Sequence, residues 1–170
     1  MVRRARVLLL VLACLLEVRG GAALAVTQTA AVQANVVKPL TLTWLQDFDL
    51  GTIALGPGNW SGATVTLSRA GILSCTNPKL TCTGATKTAR YNVTGTNKMV
   101  VRITAPNVTL VNATNASQTL TLVVDSPGTV MLTSSGAPGN DFDLGGSITF
   151  NSTTASGNYS GKFNVTVDYQ

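Results

Sequence analysis

Beyond residue 25, the side chains with most chemistry to offer are six aspartates and two cysteines; there is no histidine anywhere in the chain. Four of the aspartates fall in a motif that occurs twice: Asp47-Phe48-Asp49-Leu50-Gly51 and Asp141-Phe142-Asp143-Leu144-Gly145, each with an isoleucine soon after, at 53 and 148. Paired acids beside a glycine are the raw material of a calcium loop. Each copy brings only two carboxylates, however, and the single glutamate, Glu17, is far from both. The favoured reading is a strand entry, with Phe and Leu packing inward while Asp and Gly make the turn. A glycosidase pair drawn from the two copies would need them side by side, and nothing in the sequence brings them together. General acid–base work near neutral pH usually calls on histidine or on an acid raised in a pocket. No Gly-x-Ser-x-Gly elbow, phosphate-cradling glycine loop or metal-ligand set is present. The expectation is a protein that is not an enzyme and carries no cofactor or metal.

The cysteines carry a different chemistry. Cys75 and Cys82 are close in sequence, and in an exported protein such a pair is most simply a disulfide, here closing the loop Thr76 to Thr81. Export is read from the first residues. Arg3, Arg4 and Arg6 precede an apolar run from Val7 to Leu16, and Ala23-Leu24-Ala25 supplies the small residues of a cleavage site. That run is too short to cross a bilayer of ~30 Å, so residues 1–25 read as a signal peptide. A lipid anchor on Cys14 is the weaker alternative, because Val stands three residues before it. The expected destination is the periplasm, the cell surface or the medium.

What must position these residues is a set of strands. Past the leader the chain is rich in Thr, Val, Ser, Asn and Gly, and holds eight Lys or Arg against six Asp, a net charge of about +2. No basic patch with interleaved aromatics points to nucleic acid, and no later segment is apolar enough to span a membrane. Short alternating runs separated by turn signals predict strands at 34–44, 50–55, 63–68, 71–75, 85–94, 99–104, 107–111, 120–124, 128–133, 147–151 and 162–169. The fold class is all-β: a single antiparallel β-sandwich over 38–170, immunoglobulin-like or pilin-like, with no helix outside the signal peptide and residues 26–37 as an arm or first strand. Trp60, in a Gly- and Pro-rich turn, is expected to cap the core rather than stack on a sugar. Lys87, Arg90, Lys98 and Arg102 fall in two successive candidate strands, and a solvated face explains them better than an anion site.

The last strand is the most regular. From Gly161 to Tyr169, Phe163, Val165, Val167 and Tyr169 point one way and Lys162, Asn164, Thr166 and Asp168 the other. With Gly157, Tyr159, Gly161 and the penultimate Tyr169, this end resembles the assembly segment of bacterial chaperone–usher fimbrial subunits. At the other end Val26, Ala30, Val32, Ala34 and Val36 alternate, interrupted by Gln28, and resemble the donor arm of those subunits. The resemblance implies a structural, fimbrial-subunit-like protein, with like subunits and a periplasmic chaperone as partners and assembly by β-strand addition. A longer likeness, over most of residues 36–170, is to a family of secreted alphaproteobacterial proteins known only as a domain of unknown function. It rests on Lys38-Pro39-Leu40-Thr41-Leu42, Asp49-Leu50-Gly51-Thr52-Ile53, Ala63 to Leu67, Asp141 to Gly146 and Phe163 to Tyr169. It implies export and a β-rich fold without naming an activity. The competing function is a self-contained binding module for surface polysaccharide or protein.

Overall fold

Alternation of apolar and hydroxyl side chains sets nearly every strand of the chain. The computed structural model describes residues 26–170; the signal peptide expected over 1–25, Cys14 included, lies outside the described residues. The chain divides into a segment ending at Asn35 and a unit running from Val36 to Gln170. Within that unit all strand pairing is antiparallel, and the described residues contain no helix.

The described residues form thirteen strands: β1 (Thr41–Gln46), β2 (Thr52–Leu55), β3 (Ala63–Leu67), β4 (Leu73–Ser74), β5 (Leu80–Thr83), β6 (Ala89–Thr94), β7 (Val100–Thr104), β8 (Val108–Asn112), β9 (Thr119–Asp125), β10 (Thr129–Met131), β11 (Asn140–Phe150), β12 (Tyr159–Ser160) and β13 (Thr166–Tyr169). One large sheet runs β1-β6-β11-β9-β8-β12, with β3 also on β11 and β4 on β3. The opposing layer is made of two smaller sheets, β10-β7-β13 and β2-β5. Inward residues of the layers form a core in two halves. In one, Val93, Val101, Ile103, Leu132 and Leu144 join β6 and β11 to the β10-β7-β13 sheet. In the other, Val65, Leu67, Leu122, Ile148 and Phe150 face β2 and β5. Each buried Val or Leu contributes about 1.5–3 kcal/mol relative to exposure.

Several boundaries differ from the sequence expectation, each for a physical reason. The run 34–44 begins as a strand only at Thr41, because Lys38-Pro39 removes a backbone donor just where pairing would start. Leu80 and Thr81, expected in a disulfide loop, belong to β5, which pairs β2 through Ile53 opposite Cys82 and Leu55 opposite Leu80. β11 begins at Asn140, not Ser147. Its first half is the second Asp-Phe-Asp-Leu-Gly copy, which is strand interior rather than turn. Gly145 and Gly146 lie there because neighbours crowd them: an added Cβ would stand 2.5 Å from the Leu67 carbonyl oxygen at Gly145 and 2.7 Å from Leu122 Cδ1 at Gly146. The closing run is split as well. Residues 161–165 form no strand, β12 joins the large sheet and β13 joins β7 in the small one. The alternation itself holds, since Phe163, Val165, Val167 and Tyr169 are half-buried and the four residues between and before them exposed.

Candidate functional site

An apolar groove opens in the half of the core that faces β2, between two strand edges. Among the described residues β2 is bonded only to β5, and β12, last in the large sheet, only to β8, so each presents a free edge. Residues 47–56 line one side and 156–163 the other; Val108, Leu110, Leu120, Leu122, Ile148 and Phe150 form the floor. The groove encloses about 1330 Å³. Leu110 and Leu120, directly opposite each other on β8 and β9, point to the inner face yet stay half-buried, as do Ile53 and Leu55 of β2. Inner-face leucines left partly bare mark the place where this half of the core lacks cover.

Local chemistry holds the groove open in this shape. Phe48 and Phe163 meet edge to face, with centroids 5.8 Å apart and planes at 70°, and both pack against the two core halves, so this pair divides the closed half from the open one. Gly161 passes so close to β8 that a Cβ there would lie 2.7 Å from Val108 Cγ1. Gly157 has φ +146°, and a Cβ on it would collide with the Asn112 amide. Asn112 is buried; its Nδ2 donates to the Ser156 carbonyl (3.0 Å) and its Oδ1 accepts from the Thr114 N–H and Oγ1. The two glycines and the asparagine thus tie 156–161 to β8 and leave its outer edge free.

Three aromatics stand in register across β1, β6 and β11, Trp44, Tyr91 and Phe142, of which Trp44 and Tyr91 reach one lip of the groove. Tyr91 and Phe142 stack with centroids 5.7 Å apart. Trp44 is 58% exposed, and its Nε1–H donates to Asp47 Oδ1 (3.1 Å). Burial pushes the Tyr91 phenol above its ordinary pKa, and the charge of Asp47 adds to the shift. The remaining motif carboxylates are locally engaged. Asp49 Oδ1 accepts from the Gly51 N–H, Asp141 from Asn92, and Asp143 from Thr88 Oγ1 and Arg90. The first copy makes a turn as expected, with Gly51 at φ +72°; β6 lies between β1, which precedes that copy, and β11, which contains the other.

Tyr169 OH, at the end of β13, accepts from the Thr96 N–H (2.7 Å) and donates to the Lys38 carbonyl (2.6 Å). A family described as a domain of unknown function, DUF4402, has a model that matches residues 40–169. The chain belongs to this family. The DUF4402 match therefore starts one residue before β1 and ends with β13. No curated protein and no solved structure matches the chain.

Of the assembly-strand residues read from the sequence, the DUF4402 domain places Gly157, Tyr159, Gly161 and Phe163 along one wall of the groove. Val165, Val167 and Tyr169 lie outside it, against the closed half of the core. The arm residues Val26, Ala30, Val32, Ala34 and Val36 belong to no strand and are exposed; Val26, Val32 and Val36 are 80%, 93% and 87% accessible. Cys75 and Cys82 are bonded, joining the end of β4 to β5. Trp60 caps the core, its Nε1–H donating to the Gly56 carbonyl (3.0 Å). The four basic residues share no face: Arg90 lies on β6 and Arg102 on β7, strands of different sheets. Sequence reasoning missed the free edge of β2 and the bare leucines, which only the pairing of β2 with β5 exposes. No helix among the described residues is long and apolar enough to cross a membrane.

Proposed function

We propose that this is an exported structural protein whose copies join by β-strand addition, the arm of one copy lying in the groove of the next. The observation that carries the reading is a match between two unfilled parts. The groove has apolar side chains on its floor and unpaired backbone edges on both sides. Residues 26–37 contain no charged side chain, alternate small apolar residues over much of their length, and form no strand. A twelve-residue strand extends ~40 Å at about 3.3 Å per residue, ample for walls of eight to ten residues. An inserted strand hydrogen-bonds to the free edges while its alternate side chains cover Leu110 and Leu120. Like subunits are the partners, and a periplasmic chaperone would shield the groove before assembly.

Deleting Val26 to Val37 tests the reading. The expected result is loss of sodium dodecyl sulfate-resistant ladders while the β-rich circular dichroism spectrum persists; ladders that survive the deletion overturn it. A second reading, a self-contained module for surface polysaccharide, is favoured by Trp44, which stands exposed beside Asp47 and Tyr91 as a platform for a sugar ring. A stable monomer that unfolds reversibly and binds glycan through Trp44 would decide for the module.

A further inference from the structure

Tyr169, on β13, is bonded to the root of the arm, far away in sequence. Lys38 is held at both of its backbone groups. Its N–H donates to Thr96 Oγ1 (2.6 Å), and its carbonyl accepts from Tyr169 OH (2.6 Å). The same phenolic oxygen accepts from the Thr96 N–H (2.7 Å), so one hydroxyl closes a ring through Lys38 and the turn after β6. Pro39 follows and biases Lys38 toward extended backbone. Gly95 leaves room for the phenol: a Cβ there would lie 2.5 Å from Tyr169 Oη and 2.7 Å from Leu40 Cδ2. The ring of Tyr169 packs on the closed half of the core, and β13 is fixed by its pairing with β7, Tyr169 opposite Val101.

We propose that Tyr169 is the positioning residue for the root of the arm: its hydroxyl clamps Lys38 and so holds in place the point from which the arm starts. This rests on the strand-addition reading for its use and extends it to control of assembly. Because the clamp needs Tyr169 of β13, Lys38 is fixed only after β13 has paired with β7. With β13 undocked, the root of the arm is left loose. A root already held in place loses less conformational freedom on insertion, which is the general benefit of preorganisation.

The experiment is Tyr169→Phe in the full chain expressed with its own leader, read by amide hydrogen exchange at Lys38, by the elongation rate of ladders and by the thermal midpoint. Phenylalanine keeps the packed ring and removes only the hydroxyl. The expected result is exchange at Lys38 and elongation each changed about tenfold, faster and slower respectively, with a midpoint close to that of the parent chain. A purely structural tyrosine would lower the midpoint and leave the exchange of Lys38 in step with its neighbours. Unchanged exchange at Lys38 together with unchanged elongation overturns the clamp. Should Tyr169→Phe fail to fold, Thr96→Val removes the other bond to Lys38 and carries the same expectations. The deletion of 26–37 separates the two ideas: ladders without the arm refute strand addition, whereas exchange at Lys38 still decides the clamp.

Discussion

Most polar side chains of consequence in this molecule serve backbone geometry. Asn112 consumes its amide on Ser156 and Thr114, Asp49 caps the Gly51 turn, and Asp143 is shared between Thr88 and Arg90. Two predictions belong at this scale. Replacing Cys75 and Cys82 by Ser removes the disulfide that cross-links the end of β4 to β5. The expected cost is about 2–3 kcal/mol of unfolding free energy in urea titration for a loop of this length, and reduction of the parent chain should lower its unfolding free energy by the same amount. The second concerns Tyr91, whose phenol is raised by burial and then by Asp47. A raised folded-state pKa means that the native chain holds this proton more tightly than the unfolded one. Its contribution is full below the ordinary phenol pKa of about 10 and is lost as pH climbs through the higher native value. Tyr91→Phe should therefore flatten the alkaline part of the stability profile, measured by denaturant titration across pH 9–12. An unchanged alkaline slope would mean that Tyr91 ionises as freely folded as unfolded.

At the scale of elements, the sequence made some strands plain and concealed others. β3, β7 and β9 were legible because their apolar residues alternate or run together between clear turn signals. β5 was hidden inside a short Cys-to-Cys interval, where spacing argued for a loop. The first half of β11 was hidden for the opposite reason: Asp and Gly look like a turn, yet here the glycines admit Leu67 and Leu122 at close range and the aspartates sit on the outer face with Asn92 and Arg90. The C-terminal rhythm was legible as a face pattern but not as a sheet assignment, since a period of two cannot tell that β12 and β13 join different sheets. The groove follows from that split. Residues 161–165 leave the large sheet, Gly161 presses on β8, and the wall between Gly157 and Phe163 keeps an unpaired edge toward β2. Of the candidate site, one wall was readable in the chain; the opposing wall and the floor came from long-range pairings that no local pattern encodes.

For the molecule as a whole, the two halves of the core differ in completeness. The half around Val93, Val101 and Leu144 is closed by β13 and the Tyr169 ring; the half around Leu122 and Phe150 is open between β2 and β12. A free edge beside the half-buried Leu110 and Leu120 invites a further strand, and strand addition would draw that strand from the next copy. The most direct test places a photo-crosslinker at residue 32 of an isotopically heavy chain, mixes it with light chains, and maps the products by mass spectrometry. Strand addition predicts heavy–light links from residue 32 into the groove, on residues 50–55, 108–122 or 156–163. Links confined to one chain, or heavy–light links that fall only outside the groove, would contradict it.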